Sequence, residues 1–261
     1  EFSMLPKYTQ ILVLIDEDNR LMDTTTENIS ARVEKLQKSE ITKYSVAPNH
    51  TEFGINKKIF EFSHPMPQDI SIQIAMLVRL MKYLELPIKY DLSDYIMPPG
   101  RSNFLRGKNG VKIIDSSYNA HLISMTSVLD MFRALRSKDK WLVIGDIIDQ
   151  GKLEGAEHEK LGQLLLDARA DRIILVGRRT YEYTYPVLKN QEGLIVERFK
   201  KPQDALAYLN KNLTGSETVL FKGSQYLEWI IEKILYDPTD SILLPRQDLA
   251  HRNRRRKWGL K

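Results

Sequence analysis

From residue 107 onward, short apolar runs alternate with amphipathic stretches at a regular spacing. The runs at 111–115, 141–145, 173–177, 194–196 and 219–222 have strand length. Several are almost wholly apolar, as strands are when helices cover both faces of their sheet. Helical periodicity marks 122–136, 156–169, 202–211 and 226–236. On the first of these, Met125, Val128, Leu129, Phe132 and Leu135 form one apolar stripe. Alternation of this kind predicts a doubly wound, mostly parallel α/β sheet.

Before residue 107 the pattern is less regular. Residues 11–15 are a continuous apolar run of strand length, and 59–62 alternate weakly. A helix is predicted over 70–84, with Ile70, Ile74, Leu77, Met81 and Leu84 sharing its core face. Pro98-Pro99-Gly100 punctuates the chain and is the better candidate for a hinge between two parts, 1–101 and 102–261.

Composition narrows the class. The 261 residues are 42% hydrophobic, which suits one or two globular domains. No apolar run approaches the roughly 18 residues that span a bilayer, and no basic-then-apolar leader opens the chain, so neither membrane insertion nor secretion is expected. Cysteine is absent, which fits a reducing cytoplasm and removes thiolate chemistry. The net charge of +5 is concentrated in Arg252, Arg254, Arg255, Arg256 and Lys257. A short terminal run like this is expected to be solvated and mobile. With no basic pattern elsewhere and no recognition motif, nucleic acid is not an expected partner.

Ligands of doubly wound sheets bind beyond the carboxyl ends of the strands. Four polar strand ends fall there: Asp115-Ser116-Ser117, Gly145-Asp146, Gly177-Arg178 and Lys222-Gly223-Ser224. Ser, Asn and Asp in such turns also cap helices, so polarity alone names no ligand.

Taken in order, these ends resemble the C-terminal domain of the Mur ligases, cytoplasmic enzymes that form amide bonds of the peptidoglycan peptide with ATP. Pro99-Gly100-Arg101 resembles the Pro-Gly-Arg that closes the family's central domain. Asp115-Ser116-Ser117-Tyr118-Asn119-Ala120, with Ser124-Met125 behind it, resembles the Asp-x-Ser/Thr-Tyr-Asn-Ala of the branch that adds D-alanyl-D-alanine. Val143-Ile144-Gly145-Asp146, then Gly151 and His158-Glu159-x-Leu161-Gly162, is similar to Leu-Gly-Asp-Met…Gly…His-x-x-Leu-Gly, and Phe221-Lys222-Gly223-Ser224 to the late Lys-Gly-Ser. His121 departs from the pattern, standing where this branch has Asn before Pro; sister ligases carry a His in that turn.

The resemblance implies a Rossmann-like C-terminal domain over 102–261, preceded by the C-terminal part of an α/β central ATPase domain over 1–101. It implies ATP and Mg as cofactors of the whole enzyme, with a UDP-N-acetylmuramoyl peptide and D-alanyl-D-alanine as substrates. The motif G-x-x-x-x-G-K-[ST], which cradles phosphates, occurs nowhere in the chain, and the central domain's carbamylated lysine and magnesium ligands have no counterpart. The helix near 69–76 offers Gln73 at the last position of the family's His-Asn-x-x-Asn and nothing at the first two. The expectation is therefore a portion of a ligase that is inactive alone and holds no catalytic residue and no metal ligand.

The implied nucleotide contacts are Arg101, Asp115 and Asn119. The implied substrate contacts are Ser117, Tyr118, Asn119, Asp146, Lys222 and Ser224, with His158 supporting them from behind. Each has a plainer alternative. Arg101 is otherwise a solvated loop residue, Asp115 a cap or turn acceptor, and Tyr118 a locally packed ring. Asp146 either binds an ammonium group or satisfies a loop. Lys222 and Ser224 either hold a carboxylate or form an ordinary turn. Two further functions stay open: a related ligase with another acceptor, and a non-catalytic module that binds a nucleotide or a partner.

Overall fold

The structure, a computed structural model, describes residues 12–16, 32–224 and 226–260. The start of the apolar run at Ile11 lies outside the described residues. In the second part of the chain, six strands form one sheet: β6 (Asn103–Arg106), β7 (Lys112–Ser116), β8 (Lys140–Gly145), β9 (Arg172–Val176), β10 (Ile195–Phe199) and β11 (Thr218–Lys222). Their spatial order is β10-β9-β8-β11-β7-β6, and every pair is parallel except β6 with β7. All residues of β8 and β11 are buried, which is why both read as continuous apolar runs rather than alternating ones.

Helices cover both faces of this sheet. α2 (Leu122–Ala134) and α3 (Glu154–Leu166) pack on one face, in a core containing Met125, Leu129, Phe132, Leu161 and Leu165. α5 (Pro202–Asn212) and α6 (Leu227–Ile234) pack on the other, with Leu209, Leu227, Ile230 and Ile231 against Val143, Val219 and Phe221. The stripe expected on α2 is buried as predicted. The connection from β9 to β10, where no helix was predicted, holds a π-turn (Thr180–Thr184) running into a short helix α4 (Tyr185–Leu188). Pro186 in its first turn removes a backbone donor, which is compatible with a helix start but weakens the periodic signal.

The first part contains a parallel pair, β1 (Leu12–Asp16) with β2 (Arg32–Leu36), and an antiparallel meander of β3 (Ile41–Ala47), β4 (His50–Ile55) and β5 (Lys58–Phe62). α1 (Ile70–Tyr83) packs on Phe53, Ile55, Phe60 and Phe62. The face assigned to α1 needs correction. The buried residues are Ser71, Ile74, Ala75 and Val78, whereas Leu77 and Leu84 are 53% and 52% exposed. The helix carries more apolar residues than one face holds, and the face turned to the meander is the one bearing Ser71, Ile74, Ala75 and Val78.

The two parts are joined by packing as well as by the chain. Val46 of β3 is buried in the core under α2, and its carbonyl accepts the Arg136 N–H at 3.3 Å. Ser127 on α2 donates to the Asp69 carboxylate at 3.0 Å.

The basic tail also departs from expectation. Residues Leu249–Lys257 form a helix, α7, whose N-cap Asp248 accepts the His251 N–H. Arg255 is only 5% exposed and donates to half-buried Glu232 of α6 at 3.0 Å, so the tail is anchored by an ion pair that a run of like charges does not disclose.

The corrected face of α1 has a direct check. Ile74→Ala is expected to cost about 2–5 kcal/mol in urea unfolding, and Leu77→Ala to stay within about 0.5 kcal/mol. Equal losses would restore the face predicted from periodicity.

Candidate functional site

The carboxyl end of β7 runs straight into the turn that starts α2. Asp115 is fully buried, and its Oδ1 accepts the Ser117 N–H at 2.9 Å, closing a local turn. Burial pushes its carboxyl up to about 6; Glu228 adds to the rise, while Ser117 and Arg246 oppose it. Further along, Asn119 Oδ1 accepts the Ala120 N–H, and Asn119 Nδ2 lies 3.2 Å from His121 Nε2. His121 in turn caps α2 in a reciprocal box with Ser124, which gives this departure from the family pattern a structural use.

β11 is inserted between β7 and β8, with Lys222 opposite Ser116 on one side and Ile144 on the other. This register carries Lys222 to the turn, where its Nζ donates to the Asn119 carbonyl at 2.5 Å. Burial, reinforced by the charge of Arg101 and opposed by Asp115, pulls the Lys222 ammonium down to about 8. The ends of β8 and β11 nearly touch. A Cβ on Gly145 would fall 1.9 Å from the Ser224 carbonyl oxygen, so only glycine permits the approach.

Three buried polar atoms at the ends of β7 and β11 make no hydrogen bond of good geometry, Asp115 Oδ2, Ser117 Oγ and Ser224 Oγ, although the Ser117 hydroxyl is near enough to lower the Asp115 carboxyl. Among the described residues, only His64 Nδ1 shares that condition. Orphan polar atoms cost about 1–3 kcal/mol each when buried. Their gathering at one sheet edge makes this edge the candidate site.

Above them, Tyr118 is 46% exposed, with the Arg101 guanidinium 4.5 Å and that of Arg246 5.8 Å from its ring centroid. These three residues, with Pro98, Pro99, Leu244 and Pro245, line a cavity of about 480 Å³. Neither Arg246 nor Asn103 was singled out from the sequence. Arg246 sits at φ 58°, a strained value for a non-glycine residue. Its guanidinium donates to the carbonyls of Ser117 and Tyr118 and lies 3.5 Å from buried Glu228. Asn103 on β6 holds the loop before it: its side chain accepts the Arg101 N–H and donates to the Met97 carbonyl. Both act through backbone contacts to residues distant in sequence or in a loop, which leave no periodic trace.

Asp146 and His158 stand somewhat apart. The Asp146 carboxylate is fully buried and accepts from the Thr180 N–H and hydroxyl at 2.9 and 3.1 Å and from Arg179, so its partners are those of the loop-satisfying alternative. His158 Nε2 accepts the Ile147 N–H at 3.1 Å and Nδ1 donates to the Glu154 carbonyl at 2.7 Å, fixing the neutral tautomer with its proton on Nδ1. It thereby holds the loop after β8 from behind. Among the described residues, no group of three or more His, Cys, Asp or Glu side chains could hold a metal ion. No helix there is long and apolar enough to cross a membrane.

A family profile described as the Mur ligase, glutamate ligase domain matches residues 100–225. The UDP-N-acetylmuramoyl-tripeptide–D-alanyl-D-alanine ligase of Rickettsia prowazekii is 26% identical over 181 residues, covering 67% of this chain and 39% of that protein. The ligase of the same name from Bacillus subtilis is 27% identical over 141 residues, 53% of this chain and 31% of that protein. The chain thus spans well under half the length of these relatives. Among solved structures, a MurF ligase from Thermotoga maritima in complex with ADP has a TM-score of 0.66 at 19% identity, covering 89% of this chain and 53% of that one. An Acinetobacter baumannii MurF reaches 0.71 at 20% identity, covering 87% and 52%. At these identities the structural likeness speaks for the fold. Profile, relatives and fold agree with the order of the strand-end turns: residues 100–225 are similar to the Mur ligase, glutamate ligase domain, and the fold is that of the corresponding part of the solved MurF structures.

Proposed function

We propose that this chain is the nucleotide- and amine-gripping portion of an ATP-dependent amide ligase of peptidoglycan precursor synthesis, acting in the cytoplasm. In this reading the ligase adds D-alanyl-D-alanine to a UDP-N-acetylmuramoyl peptide through an acyl phosphate. Residues 1–101 belong to its central domain and 102–261 form its C-terminal domain. The observation that carries the reading is the cluster of orphan atoms on Asp115, Ser117 and Ser224 beside Lys222, under the Arg101–Tyr118–Arg246 stack. The names of the relatives and the ADP of the Thermotoga maritima complex support it.

The free Asp115 oxygen accepts from ribose hydroxyls, and the Arg101 guanidinium stacks on the base or meets phosphate. Tyr118 and Asn119 orient the nucleotide and the amine. Lys222 and the Ser224 hydroxyl hold the dipeptide carboxylate. Asp146 and His158 keep the ends of β8 and β9 in place. When bound, ATP supplies the phosphoryl group that activates the acceptor carboxylate. The adenosine end fits this edge. Magnesium does not fit the described residues, which offer no ligand cluster, and in this reading phosphate and metal are met by residues other than these.

A second reading, a ligase with a different acceptor, draws on His121 in the signature turn. The two separate by calorimetry on the full-length ligase. Saturable binding of D-alanyl-D-alanine but not of L-glutamate is expected, and the reverse preference would select the second reading.

The isolated chain is expected to release phosphate from ATP no faster than buffer alone, since its sequence lacks the phosphate-cradling motif G-x-x-x-x-G-K-[ST]. Release well above background from the pure chain, abolished by no contaminant removal, would sink this assignment of the phosphate chemistry to residues elsewhere.

Asp115 links site and stability. Its folded carboxyl keeps its proton up to about pH 6, whereas the unfolded one releases it near the ordinary value of 3.8. Stability from this group is therefore fully present below that ordinary value and is lost as pH rises through about 6. Asp115→Asn is expected to stabilise the chain at pH 7.5 by about 1–3 kcal/mol, to flatten stability between pH 4 and 6, and to weaken ADP binding at least tenfold. Destabilisation with unchanged ADP binding would make Asp115 a plain turn residue.

A further inference from the structure

A second basic cavity lies away from the signature turn, between α6, the 3-10 turn Pro238–Leu243 and α7. It has a volume of about 280 Å³ and is lined by Arg252, Arg255, Arg256, Glu232, Gln247 and Ser241, with Trp229 in its wall. We propose that it binds a phosphate-class oxyanion.

A charge imbalance surrounds one fixed residue, buried Arg255, with Arg252 and Arg256 exposed on either side of it. Arg252, Arg255 and Arg256 are spaced i, i+3, i+4 and share one face of α7, where like charges repel. Glu232 is the single carboxylate in the lining. It is engaged by buried Arg255 at 3.0 Å, and Gln247 accepts from the other arm of that guanidinium at 3.4 Å. Among the described residues, Arg252 and Arg256 have no ion-pair partner. The helix dipole offsets cations only in the last turn, and Arg252 lies in the first half of α7. One multivalent anion meeting both free guanidiniums, with the Ser241 hydroxyl as a neutral donor, removes the imbalance. Guanidinium groups suit phosphate oxygens because they present parallel N–H donors. Arg255, pinned by Glu232 and Gln247, gives the site a fixed floor instead of a set of mobile side chains. The proposal does not depend on the ligase reading, since its lining shares no residue with the Arg101–Tyr118–Arg246 cavity.

The tail itself provides a control. Arg254 and Lys257 are exposed like Arg252 and Arg256 and add the same charge, yet they do not line the cavity. Inorganic phosphate titrated into the 261-residue chain by calorimetry, at constant ionic strength in chloride, is expected to bind saturably with 1:1 stoichiometry. Arg252→Gln/Arg256→Gln is expected to weaken it at least tenfold, whereas Arg254→Gln/Lys257→Gln leaves it within twofold. Unchanged far-ultraviolet circular dichroism in both double variants confirms that α7 persists. The proposal is overturned by non-saturable heats, by equal loss in the two double variants, or by acetate binding as tightly as phosphate.

Discussion

Strand β11 is hydrogen-bonded on both sides, with Phe221 opposite Asp115 of β7 and Val143 of β8. This pairing sets Lys222 against a turn that lies more than a hundred residues earlier in the chain. It also brings the Ser224 carbonyl so close to Gly145 that no side chain fits between them, while the Ser224 N–H donates to the Asp146 carbonyl at 3.0 Å. A slip of one residue would reverse every side chain of β11 between the two cores and remove Lys222 from Asn119. The burial of β11 on both faces is what prevents that slip, because Val219 and Phe221 fill one core and Leu220 the other.

Around this register the structure accepts local cost. Asp115 and Glu228 are both buried carboxyls, and burial pushes each upward. Arg246 faces both and also holds the Ser117 and Tyr118 carbonyls, which explains how it is kept at a left-handed φ. Unpartnered atoms, raised carboxyls and a strained backbone occur together at one edge of the sheet. That concentration is what the proposed function rests on.

Arg255 shows a related principle at the C-terminus. The charge run is most simply read as solvated, and four of its five members are exposed. The fifth is buried against Glu232, and that one pair orders the helix and lines up its neighbours over a cavity. Which member of a charge run is buried depends on where a carboxylate stands on another helix.

The doubly wound sheet was legible because burial on both faces imposes continuous apolar runs, and helices between them impose a 3.6-residue period. The order of motifs from Pro99 to Ser224 was legible for the same local reason: turn chemistry needs particular residues at particular strand ends. Of the antiparallel meander only β5 was legible, as the weak alternation at 59–62, since β3 mixes half-buried and exposed positions without clean alternation. Nor was the buried face of α1, whose apolar residues exceed one face. The sequence by itself thus determined the fold class and the turns that carry polar groups. Only the tertiary structure decided which groups keep a free valence. Asp146 finds Thr180 and Arg179, and His158 finds two backbone partners, while Asp115, Ser117 and Ser224 keep unpaired atoms. Partnership in a buried site is a matter of three-dimensional distance between segments far apart in the chain, and no local pattern encodes it.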